Sequence, residues 1–127
     1  MSGRFLLDTH IFIWWADEPA RLSRRIRELL EAPENDLYLS IASAWEIAIK
    51  EAVGKLSLGA PIYYAVDKAG VELLPISLNH IERTKQLPLL HRDPFDRMLV
   101  AQAIEEELQF ITIDRYLGQY GVRIAPN

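Results

Sequence analysis

Residues 4–9, Arg4-Phe5-Leu6-Leu7-Asp8-Thr9, decide the fold. Three consecutive large apolar side chains closed by a polar pair read as a short buried strand, the kind found in parallel sheets that helices cover. Asp8 falls at the carboxyl end of that strand, where open parallel sheets bind their ligands.

Outward from this segment, residues 10–16 (His-Ile-Phe-Ile-Trp-Trp-Ala) are apolar all round and are stopped by Asp17-Glu18-Pro19. That pattern predicts a short helix, buried on several sides or covered by a partner. Residues 21–32 form an amphipathic helix, with Leu22, Ile26, Leu29 and Leu30 inward and Arg21, Arg24, Arg25, Arg27 and Glu28 on or beside the other face. Pro33-Glu34-Asn35-Asp36 turns the chain into a strand at 37–39. Ser40, or Ser43 with Glu46 three residues on, caps a helix running through Lys50 toward Gly54. Pro61 begins another helix that ends near Gly70.

A strand at 71–76, helices at 78–87 and 94–108, and a strand at 110–113 follow, with 122–124 as a last edge strand. Helices alternating with short β-rich runs imply one α/β domain over residues 1–127, a three-layer α/β/α sandwich with a mainly parallel central sheet. There is no linker and no internal repeat.

A chain of 127 residues, half hydrophobic and a quarter charged, supports one core and excludes disorder and coiled coil. Its longest apolar run, residues 11–16, is far short of the ~20 residues of a spanning helix, so a soluble, cytoplasmic protein without a membrane partner is expected. The absence of cysteine removes disulfides, zinc–thiolate sites and thiol nucleophiles, leaving oxygen or imidazole to hold any metal. The formal net charge of -4 means that bulk charge does not hold nucleic acid; a local positive patch or bound cations are needed.

The acids therefore carry the functional question. Asp8 and Asp114 both follow a strand, and each either caps the next helix or joins a cation site. Asp96 shares a helical face with Leu99, Val100 and Ala103, and a carboxylate pointing into a core needs a partner. Asp93-Pro94-Phe95-Asp96 equally reads as an N-cap, a proline at the first helical position and an acid at the third. Glu46 borders the apolar face of its helix, with Lys50 one turn on as an ordinary ion-pair partner. Taken together, in a chain without cysteine, these four acids resemble an all-oxygen cage for Mg²⁺ or Mn²⁺.

Four blocks in order, Phe5-Leu6-Leu7-Asp8-Thr9-His10, Ser43-Ala44-Trp45-Glu46-Ile47-Ala48-Ile49-Lys50, residues 91–103 with Asp93-Pro94-Phe95-Asp96-Arg97, and Ile111-Thr112-Ile113-Asp114, resemble the PIN-domain family. More narrowly, they resemble its VapC-type ribonuclease toxins. The resemblance implies a metal-dependent endoribonuclease whose acidic quartet is Asp8, Glu46, Asp96 and Asp114, supported by Thr9, Ser43 and Thr112. Asp93 stands between cap and second support.

The resemblance further implies a Mg²⁺ or Mn²⁺ cofactor, an RNA substrate, a cognate antitoxin and a homodimer. Lys50, Arg92, Arg97 and Arg115 each lie within four residues of a quartet acid and are candidate phosphate contacts, each with a surface ion pair as the ordinary alternative. His10 and His91 are less suited to Mg²⁺ than the oxygens. A catalytically silent PIN-like module that binds RNA or protein is the rival from another class. A phosphatase with Asp8 as nucleophile lacks a second Asp two residues on, where Thr9-His10 follows instead.

Overall fold

The computed structural model describes residues 3–90 and 93–126. Four strands, β1 (Arg4–Leu7), β2 (Asp36–Ser40), β3 (Glu72–Leu74) and β4 (Gln109–Ile111), form one sheet in the order β3-β2-β1-β4, every pair parallel. Among the described residues six α-helices surround it: α1 (Thr9–Asp17), α2 (Arg24–Glu31), α3 (Ile41–Ala52), α4 (Ile62–Ala69), α5 (Leu78–Gln86) and α6 (Pro94–Glu105).

The period of two along the strands sorts the core into two halves. Phe5 and Leu7 of β1, Leu39 of β2 and Ile111 of β4 face one way, packing with Ile11 and Phe12 of α1, Ile26 and Leu30 of α2 and Ile47 of α3. Leu6 and Phe110 face the other way, against Leu99, Val100 and Ala103 of α6 and Leu117 and Val122 beyond the sheet. Each fully buried Leu, Ile or Phe contributes roughly 1.5–3 kcal/mol, so this two-sided burial is what holds the short strands in the middle layer. The result is the α/β/α sandwich expected, with a wholly parallel sheet.

The differences from the sequence reading have local causes. The helix expected at 21–32 begins at Arg24, where the Ser23 hydroxyl accepts from the Ile26 amide; Pro19–Arg21 before it form a separate 3₁₀ turn. Strand β3 stops at Leu74 because Pro75 has no amide hydrogen to continue the ladder. Helix α6 ends at Glu105 rather than 108, closed by Glu107 in a left-handed conformation (φ 55°) and the Leu108 amide on the Ala103 carbonyl. The edge strand expected at 122–124 is reduced to one parallel bridge between Phe110 and Ile124, after a 3₁₀ helix at Arg115–Tyr120 that the sequence did not announce.

Strand β1 has β2 on one side and β4 on the other, so the strand order reverses between β1 and β4. A crevice at such a reversal, beyond the carboxyl ends of the strands, is where open parallel sheets accept ligands.

Candidate active site

Asp8 stands at that reversal. Its backbone amide continues the ladder by donating to the Ile111 carbonyl of β4 at 2.9 Å, and its side chain is 7% exposed. The Thr9 amide donates to Oδ1 at 2.7 Å, making Asp8 the N-cap of α1, and the Thr112 hydroxyl donates to Oδ2 at 2.6 Å. Both carboxylate oxygens are thus held at once, one from the start of α1 and the other from the residue after β4. Burial raises the Asp8 pKa above the ordinary carboxylate value and the nearby charge of Glu46 adds to the rise, against the lowering effects of Thr112, the Thr9 amide and His10.

Helix α3 brings the second acid. Ser40 caps it through the Ala42 amide, which leaves Ser43 free for a different bond: it accepts from the Thr9 hydroxyl at 2.8 Å, tying α3 to α1. One turn on, Glu46 is 9% exposed and pairs with Lys50 Nζ at 3.1 Å. Asp114 follows β4, where its amide donates to Thr112 Oγ1 at 2.9 Å and its Oδ1 accepts from the Tyr116 amide as the cap of the 3₁₀ helix. A continuous path of hydrogen bonds therefore runs from Asp114 through Thr112 to Asp8.

Asp93 caps α6, its Oδ1 accepting from the Phe95 amide at 2.8 Å and the Asp96 amide at 3.4 Å. Asp96 is half-buried in the first turn of α6. That end of α6 meets α3 through Phe95 and Trp45, whose ring centroids lie 5.5 Å apart at 65°. Asp8 and Glu46 are close enough for their charges to interact, and Asp114 is joined to Asp8 through Thr112. Among the described residues no three Asp, Glu or His side chains are near enough together to hold a metal as they stand.

The profile of the PIN domain family matches residues 5–122. The chain belongs to the PIN domain family. It is 27% identical over 118 residues to Ribonuclease VapC22 of Mycobacterium tuberculosis, covering 91% of this chain and 90% of that protein. It is similar in fold to the structure of VapBC2 from Rickettsia felis bound to a DNA fragment from their promoter, with TM-score 0.75, 16% identity and 98% of each chain covered. DNA-bound VapBC from Salmonella typhimurium gives TM-score 0.68 and 20% identity over 97% of each chain. These structural likenesses speak for the fold.

On this PIN domain the candidate cations have different surroundings. Lys50 is engaged with Glu46. Arg97 reaches back from α6 to the carbonyls of Thr84, Pro88 and Leu87 at 2.7, 2.9 and 3.3 Å, so it fastens the end of α5 to α6 rather than standing free for phosphate. Arg115 is exposed after Asp114, while His91 and Arg92 lie outside the described residues. His10 is exposed beside Asp8, with its ring 5.9 Å from that of Trp14.

The sequence reading missed His80. It is buried, accepts from the Ser77 amide at 3.0 Å through Nδ1 and meets Glu106 Oε2 at 2.9 Å through Nε2. Nδ1 closes the N-terminal cap of α5, and Nε2 ties α5 to the end of α6. The signal was Ser77 followed three residues later by His80, a capping box with histidine in the place of glutamate.

Proposed function

We propose that this PIN domain is a divalent-metal-dependent endoribonuclease and the toxin of a toxin–antitoxin pair. The observation that carries the reading is the buried Asp8 carboxylate at the sheet's reversal point, held on both oxygens and sharing its surroundings with Glu46. A buried carboxylate beside a second one is costly without a counter-charge, and no Lys or Arg pairs with Asp8 among the described residues. The donor set of Asp8, Glu46, Asp96 and Asp114 is all carboxylate oxygen and suits Mg²⁺ or Mn²⁺.

Bound there, the cation would supply Lewis acidity toward water and the scissile phosphate. Asp8 is the central ligand, kept in one orientation by Thr112 and the Thr9 amide. Thr9 and Ser43 fix α1 against α3 and so set Glu46, as ligand or orienter of the attacking water, relative to Asp8. Asp96 and Asp114 complete the ligands, and Asp93 shapes the turn that presents Asp96. Arg115 is exposed to phosphate at the rim, with Arg92 and, once released from Glu46, Lys50 as further candidates.

The assembly is proposed from the same basis. The likeness to VapBC structures and the apolar hollow lined by Trp15, Leu58, Tyr64 and Ala65 support an antitoxin as partner. The apolar face of Ile41, Ala44, Tyr63 and Leu73 supports a homodimer, and no helix among the described residues is long and apolar enough to cross a membrane. A cytoplasmic location belongs to this reading.

Cleavage of an end-labelled RNA panel by the partner-free chain in Mg²⁺, Mn²⁺ or EDTA, beside Asp8→Asn and Asp96→Asn, tests it. Metal-dependent cutting lost in both variants supports the nuclease. Absence of cutting by a folded protein in either metal would favour the silent RNA- or protein-binding module, the reading for which the lack of a ready three-acid cluster speaks.

A further inference from the structure

Trp45 immediately precedes Glu46 and Phe95 immediately precedes Asp96, and the two rings meet. The contact sits where α3 and the start of α6 converge, so the aromatic pair lies between the helices that carry two of the four proposed ligands. Trp45 is nevertheless 62% exposed, far more than a ring serving the core. A tilted contact covers at most one face of one ring, which leaves indole surface open to solvent one residue from Glu46.

The charge balance says what that surface is for. The chain carries -4 overall, and beside the four acids Lys50 is paired with Glu46 and Arg97 is taken up by carbonyls, so few cations there remain to hold a polyanion by its phosphates. Single-stranded nucleic acid has a second handle, because every base has a π-face and stacks on aromatic side chains whatever its sequence.

We propose that Trp45, buttressed by Phe95, is a stacking site for an unpaired base of single-stranded RNA next to the scissile phosphate; this rests on the nuclease reading for its substrate. Ile41 and Ile49 flank Trp45 at one-turn spacing and are also exposed, so a contact between two copies of the chain through this face is the competing occupant. Tryptophan next to a ligand acid, rather than another aliphatic, favours the base.

The test is a cycle between protein and RNA. Binding of fluorescein-labelled single-stranded RNA is followed by anisotropy for wild type, Trp45→Ala and Trp45→Phe, using intact RNA and RNAs with one abasic position moved along the strand. Trp45→Ala should weaken binding about tenfold or more at low and at high salt, and Trp45→Phe should retain most of it. One abasic position should cost the wild type a similar factor and cost Trp45→Ala nothing further.

Unchanged binding by Trp45→Ala, or losses that simply add at every abasic position, would overturn the proposal. Additive losses accompanied by a shift from dimer to monomer on a sizing column would assign Trp45 to the contact between copies. Coupling to an abasic position without RNA cutting would leave the stacking site standing and remove the nuclease; cutting unaffected by Trp45→Ala would do the reverse.

Discussion

The hydroxyl of Thr112 donates to Oδ2 of Asp8 across 2.6 Å, joining residues 104 positions apart at the point where the sheet reverses its order. The same oxygen of Thr112 accepts from the Asp114 amide, so one side chain sets both the orientation of Asp8 and the path of the chain into Asp114.

Thr112→Val keeps the shape and removes the donor. A hydrogen bond to a charged group is worth about 1.5–3 kcal/mol, and urea denaturation at neutral pH should show a loss of that order. Because the bond favours the ionised carboxylate, the loss should shrink in acid, where Asp8 is protonated. A loss of equal size at both ends of the pH range would place the effect in the bond from the Asp114 amide to the Thr112 hydroxyl rather than in the bond to Asp8.

Asp8→Asn should stabilise the metal-free fold at neutral pH while removing activity. The sign follows from the raised pKa, caused first by burial: the folded state binds the Asp8 proton more tightly than the unfolded chain does. Its favourable contribution is complete below the unfolded carboxylate pKa and is lost as pH rises through the folded one. The melting temperature of Asp8→Asn in EDTA should thus exceed that of wild type at pH 7 and lose this advantage as pH falls below the ordinary carboxylate range. Mg²⁺ or Mn²⁺ at about a hundred times its dissociation constant should stabilise wild type by about 2.7 kcal/mol and the variant little. A variant melting below wild type at neutral pH would show that the charge of Asp8 is already compensated within the chain.

What could be read from the sequence divides along the distance between interacting residues. The alternation of Phe5, Leu6 and Leu7 around β1 and the place of Asp8 after it are local, and both were legible. Cap or ligand was open for Asp8 and Asp114, and cap or second support for Asp93; in the structure each caps through Oδ1, which leaves Asp8 with a second oxygen for Thr112. Arg97 was placed among candidate phosphate contacts by its nearness to Asp96, yet its partners are carbonyls up to 13 residues earlier in the chain. No periodicity announces such a contact, nor that of Trp45 with Phe95, because both depend on how α5 and α3 sit against α6.

Arg97→Ala should therefore act on stability. Its guanidinium binds the Thr84 and Leu87 carbonyls at the end of α5, where backbone acceptors lack helical partners and a cation is favoured by the helix dipole. A loss of about 1–3 kcal/mol is expected in urea denaturation, partly restored by lysine, which offers a charge without the planar fork. Weakened RNA binding with unchanged stability would instead return Arg97 to the phosphate contacts.

Lys50 poses the opposite case, a cation that competes with the metal. Its ammonium lies 3.1 Å from Glu46 Oε2, with Lys50 only partly exposed, so it neutralises an acid proposed to serve a divalent cation. Lys50→Gln removes that positive charge while keeping most of the side chain's bulk. Even when fully screened by water, two unit charges a few ångströms apart interact by roughly 1 kcal/mol, which corresponds to about a fivefold change in an equilibrium constant and is a lower bound for a pair as buried as this one. Titration calorimetry should accordingly find Mn²⁺ bound at least about fivefold more tightly by Lys50→Gln, while RNA binding at low salt weakens through the loss of a rim cation. Tighter Mn²⁺ with unaltered RNA binding would confine Lys50 to the Glu46 pair, and unchanged Mn²⁺ affinity would remove Glu46 from the ligand set.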